Sequence, residues 1–383
     1  ILKNNFWPKF SDKEINLVKK ILKSGKINQW TGNYNKLFSN AFKKSVRQKY
    51  AIPICNGSLA LDLAVRSLNL KPFSQILVTS RSFVATAKCI TNNHHHPIFL
   101  DESSEYSGIC LKDLKKKFNK KVKAIICAHI GGYPNKIDEI KSFAKEKNIF
   151  LIEDCSQSHG GNYKNKPLGS FGDISVWSFC QDKIISTGGE GGMITTNNKK
   201  IYEYCNQFKD HGKNFNKMNN KKYKYSFKYL HDFNGTNLRL TEIQCAMGLI
   251  QLSNLKKNLI TRRKFVKELL LVLQNYKYIK IMPYSKINDC SWYRLYFTIN
   301  FKKIKKTREE VLALLNSNRI TSNSGTCCEL YKEKIFKNFK TTEKKYCNYL
   351  AKNSIALVIH PFLNKKEIIF FKKKIIKVLE SLK

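Results

Sequence analysis

A lysine, an acid and a serine stand at positions where together they could bind an aldehyde cofactor. Lys183 follows an apolar run, precedes a glycine-rich turn at 188–192, and has Ser178 five residues before it. Upstream, Asp154 ends another apolar run. A lysine amine can form a Schiff base with an aldehyde, and a carboxylate can keep a pyridine nitrogen protonated so that the ring accepts electrons. The pattern predicts pyridoxal 5'-phosphate as the cofactor, with Lys183 and Asp154 as the catalytic residues.

Other residues could hold the rest of such a cofactor. Gly57 and Ser58 join a predicted strand to a predicted helix, where backbone N–H groups and the helix dipole favour an anion such as phosphate. The alternative is an ordinary helix cap made by Ser58. Phe83 could stack on a flat ring, although a core phenylalanine is the alternative reading. Gln157 could donate to the phenolic oxygen of the ring. For Lys183 the alternative is a solvated lysine.

Composition argues against several other classes of protein. The 383 residues carry a formal net charge of +42, but the lysines are spread along the whole chain, so we expect no dedicated nucleic-acid partner. The twelve cysteines form no Cys-x-x-Cys pattern, which predicts reduced core thiols. Adjacent histidines such as those at 94–96 cannot all converge on one ion, so we expect no metal. With no long apolar run and no signal-like start, we expect a cytoplasmic protein without membrane insertion.

The elements that would position these residues alternate up to about residue 240. Short apolar runs lie at 51–54, 76–78, 97–100, 124–128, 150–152, 174–179 and 193–195, with helical patterns such as 58–70 and 137–147 between them. Strand–helix alternation predicts an α/β fold with a mostly parallel sheet covered by helices on both faces. Before the first run, Ser11 and Glu14 form a predicted capping box for a helix that Gly25 ends.

The rhythm changes after residue 240. A long amphipathic stretch at 240–273 leads to a β-type run at 293–300 and to helical patterns near 307–317, 341–353 and 365–382. We therefore expect a large cofactor-binding domain at 1–250 and a smaller α+β domain with an antiparallel sheet at 251–383.

Taken together, the motifs resemble those of a known family. They lie at 56–61, 83–87, 124–129, 153–154, 168–173, 178–183, 189–192 and 237–244. Over nearly its whole length the chain resembles the DegT/DnrJ/EryC1/StrS sugar aminotransferases, which are fold type I pyridoxal phosphate enzymes. The resemblance implies a seven-stranded sheet in the larger domain. The chain departs from the family pattern at Leu59, where a small residue is usual, at Gln157, where some members have histidine, and at Arg81, which is unusual before the stacking position.

The resemblance also implies a role for each matching residue. Lys183 would hold the cofactor and shuttle protons, Asp154 would pair with the pyridine nitrogen, Gln157 with the phenolic oxygen, and Phe83 would stack on the ring. The phosphate would be bound by Gly57, Ser58, the backbone of Leu59, Ser178, and Asn237 of the second subunit, so the shared active sites would require a homodimer. Substrate-side candidates are Trp30, Thr31, His211 and the basic, aromatic segment 212–228, for which a solvated loop is the alternative.

In function, the resemblance implies a transaminase that moves an amino group from glutamate onto a nucleotide-linked keto-sugar, for surface polysaccharide or unusual-sugar synthesis. One alternative is a non-catalytic pyridoxal phosphate-binding regulator, for which we find no output domain. Another is a pyridoxal phosphate-dependent sugar dehydratase, but relatives of that kind have histidine in place of the lysine. A third, outside this family, is a nucleic-acid-binding protein, which the spread of charge disfavours. Lys183 favours amination.

Overall fold

The computed structural model describes residues 7–103, 108–218, 228–281, 287–339 and 341–382. The helices of these residues are α1 (Asp12–Ser24), α2 (Tyr34–Ser45), α3 (Gly57–Ser67), α4 (Ala85–Asn92), α5 (Leu111–Lys117), α6 (Ile137–Glu146), α7 (Lys199–Phe208), α8 (Phe215–Met218), α9 (Glu242–Leu273), α10 (Arg308–Ser317), α11 (Lys345–Asn353) and α12 (Lys365–Glu380). The strands are β1 (Tyr50–Ile54), β2 (Gln75–Thr79), β3 (His96–Leu100), β4 (Val122–Ala128), β5 (Phe150–Asp154), β6 (Asn162–Tyr163), β7 (Lys166–Pro167), β8 (Ile174–Ser178), β9 (Gly192–Thr196), β10 (Ile279–Ile281), β11 (Arg294–Ile299), β12 (Ser322–Asn323) and β13 (Ser354–Val358).

The seven apolar runs of the first half pair into one sheet, here called the main sheet. Its order is β1-β9-β8-β5-β4-β2-β3. The pairs from β8 to β3 are parallel, whereas β9 runs antiparallel to both of its neighbours. Its strands are buried almost throughout, as expected for a sheet whose two faces are both covered by helices. The predicted mostly parallel, seven-stranded α/β architecture is confirmed.

The N-terminal helices show two ways of starting a helix. In α1 the side chain of Ser11 accepts from the backbone of Glu14, and the Glu14 carboxylate accepts from Ser11, so the predicted capping box is present, with Gly25 at the C-cap. In α2 the preceding Asn33 makes no side-chain cap. Instead, Glu242 accepts the backbone N–H groups of Tyr34 at 2.5 Å and Asn35 at 2.9 Å. A residue far away in the sequence therefore caps α2.

A second, antiparallel sheet, here called the C-terminal sheet, has the order β10-β11-β13-β12. Its apolar face packs against α9, α10 and α12 in a core of its own. The predicted smaller α+β part with an antiparallel sheet is confirmed, although β13 was missed by the sequence reading. Helix α9 contributes to both cores, and the predicted domain boundary at 250/251 falls within it. The division into 1–250 and 251–383 stays a prediction.

Two further observations concern the helices and the cysteines. Within the described ranges, each helix is either too short or too polar to cross a bilayer. All twelve cysteines lie in those ranges and all are free thiols, most of them buried.

Candidate active site

The carboxyl ends of β1 and β8 meet across the first residue of β9. Ile54 and Ser178 both pair with Gly192. A Cβ atom on Gly57 would lie 2.7 Å from the Cβ of Ser178, and one on Gly192 would lie 2.6 Å from the carbonyl of Asn56. These approaches are too close for any residue with a side chain, so the glycines make a narrow cradle beside the Ser178 hydroxyl.

Helix α3 begins at this cradle. Its N-cap is Asn56, whose side chain accepts the N–H of Leu59 at 2.9 Å. The alternative in which Ser58 caps its own helix is therefore wrong, because the capping side chain belongs to Asn56. Ser58 itself is exposed. The Leu59 N–H, predicted to bind phosphate through the backbone, already has Asn56 as its acceptor.

Asp154 stands at the end of β5 and is 6% exposed. Its Oδ2 atom accepts from the hydroxyl of Thr86 at 2.7 Å, and its Oδ1 atom accepts from the N–H of Ser156 at 3.1 Å. Two donors thus fix the orientation of a buried carboxylate at the edge where parallel strands end. That edge is where α/β proteins bind ligands.

The neighbouring acid, Glu153, faces the other side of the sheet because side chains alternate along a strand. It is fully buried and accepts three backbone N–H groups, those of Gly169 at 3.0 Å, Phe171 at 2.8 Å and Gly172 at 2.6 Å. Burial by itself would raise the pKa of Glu153, but the hydrogen bond from His129 and these N–H groups hold it below its usual value. Glu153 is a structural acid that organises the 168–173 turn.

His129 and Cys155 lie beside Glu153, and among the described residues these three ligand atoms are the group close enough to suggest a metal. However, Nε2 of His129 lies 3.2 Å from Glu153, and its Nδ1 accepts the N–H of Asn135 at 3.2 Å. The donor and acceptor atoms of the histidine and the acid are therefore already used within the protein.

Gln157 and Phe83 present different groups. The Oε1 atom of Gln157 accepts the N–H of Gly131 at 2.7 Å, which leaves its amide N–H₂ to donate to an acceptor such as a phenolic oxygen. Phe83 is 63% exposed. The alternative reading of Phe83 as a core residue is therefore wrong, and its ring is available for stacking.

Lys183 is partly buried rather than solvated. Its backbone N–H donates to the carbonyl of Cys180 at 3.0 Å, and its carbonyl accepts from the indole of Trp7 at 2.7 Å. Its Nζ atom lies 4.8 Å from the ring centre of Tyr293, whose hydroxyl donates to Asp182. The loop bearing the lysine is thus held by residues on both sides of it.

A buried histidine lies behind this loop. His159 is 1% exposed, and neither ring nitrogen meets full hydrogen-bond geometry, although the Ser178 backbone lies close enough to favour the charged ring slightly. Burial, helped by the charge of Lys183, lowers the pKa of His159 to about 3. It borders a cavity of about 40 Å³ that is lined by Phe42, Trp177, Ile185 and others.

Trp30, Thr31, His211 and Asn237 form a second group, around the buried carboxylate of Asp210. The backbones of Asn237 and Asp210 form an isolated antiparallel β-bridge. The side-chain amide of Gln29, the residue before Trp30, donates to the Asp210 carboxylate at 3.2 Å. The Asn237, Thr31 and His211 side chains are exposed, as is much of Trp30. The residue after Asn237, Leu238, accepts the N–H of Cys55 at 2.9 Å, so this segment runs beside the strand that leads to the cradle. Of the predicted segment 212–228, residues 219–227 lie outside the described part of the chain.

Sequence reasoning missed Thr86, Tyr293 and Trp7. Thr86 lies one helical turn after Phe83 within a motif already noted, so its spacing was a usable signal. Tyr293 and Trp7 reach the site from distant parts of the chain, and no local pattern announces such contacts.

The chain is similar to known proteins over most of its length. The model of the DegT/DnrJ/EryC1/StrS aminotransferase family matches residues 8–375. A GDP-perosamine synthase of Escherichia coli O157:H7 is 35% identical over 264 residues, which are 69% of each protein. An aminotransferase structure from Psychrobacter cryohalolentis is 31% identical, with a TM-score of 0.94 and 99% of each chain covered. The E. coli GDP-4-keto-6-deoxy-D-mannose-3-dehydratase with bound hydrated pyridoxal phosphate is 26% identical, with a TM-score of 0.87 over 96% of this chain and 99% of that one.

Proposed function

The chain belongs to the DegT/DnrJ/EryC1/StrS aminotransferase family, and from this premise we propose that it uses Lys183 to move an amino group from glutamate onto a nucleotide-linked keto-sugar. Pyridoxal phosphate is the cofactor and sugar transamination is the reaction class. The roles of individual residues, the donor and the sugar carrier belong to the proposal.

One observation carries the residue assignment. A buried, doubly hydrogen-bonded carboxylate, Asp154, ends the strand next to β8, and the cradle of Gly57 and Ser178 lies at the end of β8 itself. An anion pocket and a ring-nitrogen partner at neighbouring strand ends match the two poles of pyridoxal phosphate. When bound, the cofactor supplies a ring that accepts electrons from the carbon that carries the transferred amino nitrogen.

The protein's own groups would divide the remaining work. The Lys183 amine would anchor the cofactor, then take a proton from one carbon and return it to another. Asp154 would keep the ring nitrogen protonated, Gln157 would donate to the phenolic oxygen through its free amide, and Phe83 would cover one face of the ring. Ser178, Gly57 and Ser58 would bind the phosphate, together with the backbone of Leu59 if its bond to Asn56 opens.

We further propose that the active enzyme is a homodimer. Asn237, Thr31 and His211 are exposed and Trp30 is 44% exposed, so this chain leaves their polar and aromatic groups accessible to a second copy. This placement supports a role at the active site of a second copy of the chain, where Asn237 would complete the phosphate site. Cross-linking combined with mixed dimers of Lys183→Ala and Asn237→Ala chains tests it, because only mixed dimers would regain one intact site.

The sugar and the compartment are also proposed. The names of relatives point to GDP-linked 6-deoxyhexoses, so GDP-4-keto-6-deoxy-D-mannose is the first acceptor to test, with dTDP-linked keto-sugars next. Such activated sugars feed surface polysaccharides. Twelve free thiols support a reducing compartment, the cytoplasm.

The deciding experiment follows the visible absorption of the cofactor-loaded protein. Glutamate should bleach the absorption, the keto-sugar should restore it, and mass spectrometry should find one amine in the product. A product that lacks an oxygen but carries no amine would show a dehydratase instead. Borohydride should fix the cofactor to Lys183, and a reducible adduct that persists in Lys183→Ala would disprove the assignment of this lysine.

A further inference from the structure

Arg81, one of the three residues at which the sequence departs from the family pattern, is a buried cation two residues before Phe83. It is 1% exposed and lies in the turn after β2. Its Nη1 atom lies 3.8 Å from the carboxylate of Glu102, and its guanidinium lies 4.6 Å from the ring centre of Tyr296. Burial raises the pKa of Glu102 even with Arg81 beside it, and Nε of Arg81 has no partner. A buried pair of this kind contributes little to stability compared with apolar residues.

Tyr296 belongs to the C-terminal sheet, where it pairs with Ala356 in β13. Its ring also reaches the other side of the site. A Cβ atom on Gly131 would lie 2.9 Å from Cδ2 of that ring, so the ring packs directly on the Gly131 backbone. The N–H of Gly131 is the donor that orients Gln157. Tyr296 therefore lies between Arg81 and the backbone that positions Gln157.

The turn that carries Arg81 also leads to Asp154. The N–H of Ser82 donates to the carbonyl of Cys327 at 3.0 Å, which ties the turn to the C-terminal part of the chain. The Ser82 and Thr86 hydroxyls lie 2.7 Å apart, and Thr86 donates its single hydrogen to Asp154. Ser82 must therefore donate to Thr86, so the chain of hydrogen bonds runs in one direction, from Ser82 through Thr86 to the carboxylate.

We propose that Arg81 is a positioning residue that fastens Tyr296 of the C-terminal sheet to the Ser82 turn, and so orients Asp154 and Gln157 together. The proposal rests on the proposed function, because a shared control of Asp154 and Gln157 matters only if they bind the nitrogen and the phenolic oxygen of one cofactor ring. In this role Arg81 acts through Tyr296 and the Ser82 turn and not on the reacting atoms. Its planar guanidinium suits a tyrosine face better than a lysine would.

The test compares three variants of the full-length protein. Arg81→Met removes the cation, Tyr296→Leu removes the aromatic face, and Lys344→Met is the matched control. Lys344 is also a buried cation over a tyrosine, with Nζ 5.0 Å from the ring centre of Tyr331, but its bonds lead to Thr341 and Thr342 rather than toward Asp154.

Two readouts are measured besides activity. Titration of the cofactor-free protein with pyridoxal phosphate gives its affinity, and the absorption of the loaded protein gives the pH midpoint of the bound cofactor. We expect Arg81→Met and Tyr296→Leu each to weaken cofactor binding about tenfold or more, as groups that orient binding residues commonly do. Their pH midpoints should move in the same direction, kcat should fall more than KM rises, and the double variant should be less affected than the sum predicts.

If both variants lose only thermal stability, as expected for Lys344→Met, and keep the wild-type affinity and pH midpoint, Arg81 is merely structural and the proposal is wrong. If Arg81→Met does not fold, Tyr296→Leu decides alone, because that variant keeps the buried ion pair of Arg81 and Glu102 intact. Failure of the proposed function would appear differently, as wild-type protein that binds the cofactor but does not aminate any keto-sugar.

Discussion

Two adjacent acids in β5 show how position on a strand decides what a residue does. Asp154 faces the site with only two donors, whereas Glu153 faces the opposite side and accepts three backbone N–H groups. A fully paired carboxylate holds its surroundings in place, and a partly paired one can still bind a ligand. The sequence marks both acids but does not say which one faces the site.

Substitution of these acids should separate chemistry from folding. Asp154→Asn should keep the fold and lower kcat by about 10²–10³-fold, because the ring nitrogen loses its charged partner. Glu153→Gln should instead lower the free energy of unfolding, since an amide cannot accept all three N–H groups. Steady-state kinetics and urea denaturation of both variants measure this, and equal kinetics for Asp154→Asn and wild type would contradict the role of Asp154.

At the scale of single elements, close packing sets the limits. The first residue of α3 touches Ser178, and no side chain fits between them. Gly57→Ala should push the α3 turn away from Ser178 and weaken cofactor binding by at least about tenfold, or roughly 1.4 kcal/mol. Ser58→Ala removes a hydroxyl without crowding and should have a smaller effect. Titration of cofactor-free protein compares the two, and equal affinities for Gly57→Ala and wild type would rule the cradle out.

The start of α9 allows a second test at this scale. Thr241 accepts the N–H of Gln244 at 3.3 Å, and Gln244 in turn accepts from Thr241 and donates to the carbonyl of Glu190 in the glycine-rich turn at 2.8 Å. Thr241→Ala should lower the free energy of unfolding by about 1 kcal/mol, the usual cost of a lost N-cap. Thr241→Ser keeps the cap and should match wild type, so a serine variant as unstable as the alanine variant would speak against capping.

The same scale explains what the sequence could predict. The strands of the main sheet are apolar runs bounded by polar turns, and such local signals predicted all seven. Helix α2 was missed because its N-cap residue, Asn33, makes no capping bond and the distant Glu242 caps the helix instead. Strand β13 was missed because it follows α11 without a turn residue between them. For the site, local motifs predicted Asp154, Gln157 and Lys183, but the contacts of Tyr293, Tyr296 and Trp7 depend on how distant segments pack.

At the scale of the whole molecule, α9 joins the two cores along its length. Phe265 and Leu269 pack in the core of the C-terminal sheet, whereas Cys245 packs with Trp177 under the main sheet. An opening of either core would pull on the same helix, so we expect the described parts to unfold in one cooperative step rather than in two.

Acid should destabilise the molecule through His159. Its folded pKa of about 3 lies below the usual value of 6.5, so in this window the unfolded chain binds a proton that the folded chain does not. The contribution of His159 to the free energy of unfolding is therefore fully present above pH 6.5. Between pH 6.5 and pH 3 it falls by about 1.4 kcal/mol for each pH unit. Between about pH 7 and pH 5, His159→Phe should lose about 2 kcal/mol less than wild type in urea denaturation. Parallel losses in the two proteins would mean that His159 titrates normally.

The alternation of Glu153 and Asp154 also limits how this gene can change over time. Deleting or inserting one residue in β5 before Glu153 would exchange the two faces of the strand for the residues that follow. Glu153 would then face the active site and Asp154 would face the core. Descendants of this chain can therefore vary the composition of β5, but its length between the preceding turn and Asp154 should stay constant.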